Sequence, residues 1–129
     1  MVAIHSLVSM LALAFAASAA PTVNIEARQS SIAGLKFFAP DNHECEKNGD
    51  PFIAHFNVFT PPAAPGQHVT GVCYDGGSYG SLFVENINAP CKFQKHISNQ
   101  CVDNPIETIT VGGCNTIGAP VEGYWKIVC

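Results

Sequence analysis

The sequence predicts an all-β fold, a small disulfide-stabilised antiparallel sandwich or barrel, and three observations carry that expectation. Strand-like runs recur about every dozen residues between Gly, Pro and Asn punctuation. No segment shows the apolar spacing of an amphipathic helix. Six cysteines, Cys45, Cys73, Cys91, Cys101, Cys114 and Cys129, all follow an N-terminal stretch with the form of an export signal, and an even count in an oxidising compartment reads as three disulfides.

The strands can be placed in order. Residues 30–38 are open between a helical face made by Ile32, Leu35 and Phe38 and a first strand over 35–38. Phe52, Ala54, Phe56 and Val58 alternate with Ile53, His55, Asn57 and Phe59, which is the period of a half-buried strand. Three prolines within residues 60–66 cannot donate ladder hydrogen bonds, so an exposed loop follows. Residues 69–74 form the next expected strand, Asp75-Gly76-Gly77 a turn, and 81–87 the return strand of a hairpin. Further strands are expected at 91–97, 106–111 and 123–129. In the last, Trp125 and Ile127 share a face with Cys129, whose disulfide would stop the chain end from fraying. Six cysteines allow fifteen pairings, and spacing selects none of them.

Residues 1–19 read as a signal peptide: an apolar run from Leu7 to Ala17 precedes Ala17-Ser18-Ala19, with cleavage expected after Ala19. The positive end of this signal carries only the α-amino group and His5, without Lys or Arg. The run is too short to cross about 30 Å of hydrocarbon, and no later segment approaches a span, so no membrane anchor is expected. Arg28 is the sole arginine of the chain and precedes Gln29. It resembles the kexin-type junction of small secreted fungal proteins, which implies a propeptide at 20–28 and a mature domain at 29–129.

That domain carries five Lys against nine Asp and Glu, a formal charge of −4. Displacing counterions from phosphates needs a basic footprint, so nucleic acid is excluded as a partner, and a polybasic membrane-surface role falls with it. A core of this size is modest, and cross-links add stability that the buried area alone does not supply.

The catalytic motifs are thin. Gly76-Gly77-Ser78-Tyr79-Gly80 matches G-x-S-x-G, but a strand-like Leu82-Phe83-Val84 follows where the nucleophile elbow needs a helix, and the only downstream histidine, His96, precedes Asp103. A glycine-rich hairpin turn is the expected reading. His43, His55, His68 and His96 are scattered without metal-ligand spacing, and the cysteines are consumed by disulfides. The cluster His43-Glu44-Cys45-Glu46 reads as a charged loop beside a staple. Glu44, Glu46, Asp50, Asp75, Glu85, Asp103, Glu107 and Glu122 offer carboxylates for glycoside chemistry, yet no spacing selects a pair. A small secreted ribonuclease of the Glu, His and Arg type is not expected, because the mature chain has no arginine.

Asp103-Asn104-Pro105-Ile106-Glu107-Thr108, followed by Ile109, Val111 and Gly113, resembles the Greek-key motif of β/γ-crystallins. Tyr74 to Gly80 looks like that family's aromatic and glycine hairpin, with the glycine one position early. The resemblance covers residues 74–113 and implies a Greek-key variant of the β fold. In calcium-binding members it would assign Asn104 and the fifth-position residue to the ion; here Glu107 stands where the family has Ser or Thr. An Asx turn leading into a strand is the expected role, and no cofactor or metal is expected.

The signal, the propeptide and the cysteine-rich β domain together resemble the small secreted effector proteins of fungi. That resemblance implies a non-enzymatic, extracellular protein with a role in virulence, binding a protein, glycan or cell-surface component of a host or competitor. The alternatives are an antimicrobial or killer-toxin-like protein on a crystallin-like scaffold, and a small secreted hydrolase or hydrolase inhibitor. Rigid scaffolds present function on loops, which points to residues 60–66 and 75–80, with Tyr74 and Tyr79 as candidate contact residues.

Overall fold

Alternation of inward and outward side chains organises the strands into two facing sheets in the computed structural model, which describes residues 30–49, 51–119 and 122–129. The expected signal peptide, propeptide, Arg28 junction, Gln29 and Asp50 lie outside the described residues. The strands are β1 (Ala33–Phe38), β2 (Ala54–Phe59), β3 (His68–Val69), β4 (Tyr74–Ser78), β5 (Ser81–Ile87), β6 (Lys92–His96), β7 (Glu107–Ile109), β8 (Gly113–Thr116) and β9 (Glu122–Val128). A 3-10 turn, Cys45–Asn48, is the helical element among the described residues. The first sheet runs β3-β2-β1-β5-β8 and the second β4-β9-β6-β7. All pairings are antiparallel except β2 with β3.

The core lies between the sheets. Leu35, Phe37, Val58, Leu82 and Val84 from the first sheet meet Phe93, Ile109, Trp125 and Ile127 from the second, all buried. Trp125 is the hub: its ring lies 5.8 Å from Phe37, 6.0 Å from Phe93 and 4.9 Å from Tyr74. Large aromatic rings bury more apolar area than any other side chain, so a small sandwich gains most from this cluster.

The disulfides join Cys45 to Cys114, Cys73 to Cys101 and Cys91 to Cys129. The last ties the end of β9 to the start of β6, as the terminal cysteine led us to expect. Three disulfides place the chain in an oxidising environment. Among the described residues no helix is long and apolar enough to cross a membrane.

Two expectations need correction. Residues 69–74 are not one strand: β3 ends at Val69 in the first sheet and β4 begins at Tyr74 in the second, so the chain changes sheets between them. Asp75-Gly76-Gly77 is not a hairpin turn, because β4 pairs with β9 while β5 pairs with β1 and β8. The glycines serve a bulge in β4, where the register shifts between Asp75 and Ser78. A Cβ on Gly76 would meet the Gly123 carbonyl at 2.8 Å, and Gly77 sits at φ +59°. One strand was not foreseen: β8, Gly-Cys-Asn-Thr, has no apolar alternation to announce it. It is an edge strand, held by its backbone pairing to β5 and by the Cys45–Cys114 bond. The 30–38 segment resolves as β1, with Leu35 and Phe37 in the core.

Candidate binding cleft

Strands β4, β9 and β6 bring their ends together at one end of the second sheet. Their register sets Asp75 opposite Tyr124, Ser78 opposite Glu122, and His96 opposite Tyr124. Because Trp125 faces inward, Tyr124 must face the opposite side. The result is an open cleft of about 450 Å³, lined among the described residues by Asp75, Gly77, Ser78, Ile97, Glu122, Gly123 and Tyr124. That volume is within the range of small-ligand sites, about 300–1,000 Å³.

Local hydrogen bonds fix the polar groups. The Gly77 N–H donates to Asp75 Oδ1 at 2.8 Å, an Asx closure of the bulge. The Ser78 hydroxyl donates to Glu122 Oε1 at 3.2 Å. Each carboxylate keeps its second oxygen without a partner among the described residues, and no Lys, Arg or His is among the described lining residues. Of the carboxylates considered from sequence, Asp75 and Glu122 are the two that share this cleft among the described residues.

The wall at Ile97 belongs to a fastened loop. Residues 97–106 fold back over the outer face of the second sheet: Lys126 Nζ donates to the Cys101 carbonyl at 2.7 Å, and Cys101 is bonded to Cys73 at the entry to β4. Asp103 clamps the near end, accepting from the Ile97 N–H at 3.1 Å and lying 3.3 Å from His96 Nδ1. Burial by itself would raise the Asp103 carboxyl, but the backbone N–H donors, Ile97 foremost, together with His96 hold it below the usual aspartate range. The clamp leaves Ile97 60% exposed and Val102 79% exposed.

Ser78, His96 and Asp103 do not form a catalytic triad. Strand β9 stands between β4 and β6, so the Ser78 and His96 backbones are about two strand spacings, ~10 Å, apart. The serine hydroxyl is turned to Glu122, and His96 is 1% exposed beneath the loop.

The remaining candidates take structural places. His55 Nε2 lies 2.8 Å from Glu85 Oε2, and Lys36 bridges Glu85 and Glu46 at 3.0 and 3.2 Å on the outer face of the first sheet. His43 Nδ1 is 3.3 Å from the Gly80 carbonyl. His68 stacks on Trp125 at 5.9 Å, and burial pulls its pKa down. Among the described residues no group of three or more His, Cys, Asp and Glu side chains is placed to hold a metal ion. In the crystallin-like segment Asp103 is engaged as the loop clamp, and Glu107 lies in β7 opposite Lys95. Burial raises the Glu107 carboxyl and lowers the fully buried Lys95 ammonium, each partly offset by the other's charge.

Tyr74 and Tyr79 are not at the cleft surface. Tyr79 is 0% exposed, its ring 4.6 Å from that of Phe37, and burial raises its hydroxyl pKa. The Tyr74 ring packs on Trp125, and its hydroxyl accepts from the Val69 N–H at 2.8 Å. Tyr74 faces inward from β4, and the register shift between Asp75 and Ser78 changes the parity so that Tyr79, five residues on, is buried as well, which a hairpin reading could not foresee. Tyr124 and Ile97 are the cleft-lining residues that sequence reasoning missed; the inward Trp125 was the signal available for Tyr124. Loop 60–66 is exposed but follows β2, at the end of the sandwich opposite Gly80, since Ala33 pairs with Val58 and Phe38 with Ser81. It cannot contribute to the same site. A second depression of about 320 Å³ is lined by Ala39, Asp41, Asn42, Pro51 and Ile53. Comparisons with family models, curated proteins and solved structures return no match.

Proposed function

We propose that this chain is a secreted, non-enzymatic binding protein of the fungal effector type, and that the β4–β9–β6 cleft is its contact surface for an extracellular component of a host or competitor. One observation supports the reading above the others: two carboxylates, a phenol and an exposed aliphatic side chain converge on an open cleft whose walls are fixed by strand pairing and a disulfide. Preorganised walls reduce the ordering cost of association. The nearest catalytic arrangement, Ser78 with Glu122, has no histidine and no orienting cation among the described lining residues.

The test uses secreted, disulfide-intact protein against plant extracellular fluid and microbial surface extracts, alongside hydrolase substrate panels. The expected result is saturable capture of one component, lost after reduction and alkylation, with no turnover. Hydrolytic turnover that disappears in a folded Ser78→Ala or Glu122→Gln variant would establish the hydrolase alternative instead. Growth arrest of a competing microbe without partner capture would establish the toxin.

A further inference from the structure

Resting on that reading, we infer that the cleft receives an arginine or lysine side chain carried on an apolar extended segment of a partner protein. Charge is the first reason. Asp75 and Glu122 each hold one oxygen by an internal hydrogen bond and present the other to a cleft with no cation among its described lining residues. A cation entering the cleft gains charge-assisted hydrogen bonds to these carboxylates. A neutral sugar gains hydrogen bonds without the charge assistance.

Shape and surroundings supply the second reason. The cleft also offers the Tyr124 ring and Ile97, which suit the methylene stem of a long basic side chain and, for arginine, the flat guanidinium over an aromatic face. Val102, in the same 97–106 loop as Ile97, is exposed as well. Ile97 and Val102 offer apolar surface to residues flanking the basic side chain, on a loop held in place by the Cys73–Cys101 disulfide, the Asp103 clamp and Lys126.

An arginine in the cleft comes from another molecule. Arg28, the sole arginine of the chain, is two residues from Ser30, a reach of about 7 Å. Ser30 precedes the Ala33 end of β1, while the cleft lies beyond its Phe38 end, a strand length of about 20 Å away.

The test titrates the secreted, disulfide-intact protein, labelled with nitrogen-15, with a short blocked peptide containing one arginine between two valines. The control is the same peptide with neutral citrulline in place of arginine. The expected result is shifts at the amides of Gly77, Ile97, Gly123 and Tyr124, with binding about tenfold weaker for citrulline and for the folded Glu122→Gln protein. Affinity should also fall as salt is raised. Equal binding of the two peptides, shifts confined to other surfaces, or stronger shifts of the same amides by a neutral oligosaccharide would each overturn the inference. The two readings fail separately. Peptide that binds and is consumed would refute the non-enzymatic function and leave the basic-side-chain specificity standing, whereas partner capture without peptide binding would refute only the specificity.

Discussion

The Ser78 hydroxyl is bonded to Glu122 Oε1 across the β4–β9 pairing, on the far side of β9 from His96. That relationship makes the serine a positioning group for a carboxylate. Ser78→Ala should therefore change stability by less than about 0.5 kcal/mol, as surface substitutions usually do, and weaken partner binding less than Glu122→Gln does. Denaturant titration and a binding isotherm check both.

Trp125 is the hub of the aromatic core, and its removal should be far more costly. Trp125→Ala is expected to destabilise the oxidised protein by about 3–5 kcal/mol, combining lost transfer energy with the cavity left behind. Tyr74→Phe, which removes only the hydroxyl that accepts from the Val69 N–H, should cost about 0.5–1.5 kcal/mol. Equilibrium unfolding with disulfides intact separates the two.

The Cys73–Cys101 bond, spanning 28 residues of sequence, fixes the 97–106 loop. Replacing both cysteines by serine should lower stability by about 3–4 kcal/mol from loop-closure entropy, and should weaken partner binding more than an equally destabilising core substitution does. Free-thiol titration of the denatured, unreduced parent should find none of the six cysteines reactive.

Acid should act in two opposite senses. The Asp103 carboxyl is depressed in the folded protein, so its stabilising contribution is complete above its ordinary value of 3.8 and is lost as pH falls through the folded value. Asp103→Asn should flatten that part of the stability profile. Glu107 is raised by burial, so its cost is complete above its folded value and is relieved as pH falls from there toward 4.5. Glu107→Gln should remove that opposing slope. Unfolding free energies measured across the acid range test both signs.

Much of the fold was legible because period-two alternation reports a sheet with one buried face. β2 was placed to within a few residues on that signal, β5, β6 and β9 were placed as closely from the strand-like runs between turn residues, and the terminal Cys129 was rightly read as a staple. What failed was the assignment of strands to sheets. Asp75-Gly76-Gly77 has turn composition, but its glycines accommodate a bulge and the close approach of Gly123, a relationship between distant residues that local chemistry does not encode. That one misreading also hid the cleft. With β4 paired to β5, Tyr74 and Tyr79 would stand at a loop tip; with β4 paired to β9, they enter the core and Asp75 meets Tyr124. Glu122 was one of eight equivalent carboxylates until the register placed it opposite Ser78.

The central claim is that the β4–β9–β6 end is the contact surface. Amide hydrogen exchange of the disulfide-intact protein, with and without its captured extracellular partner, tests it most directly. The account predicts added protection at residues 75–78, at Ile97 and at 122–124, with no change at 60–66. Protection confined to loop 60–66 at the opposite end of the sandwich, with the cleft amides unaffected, would contradict it.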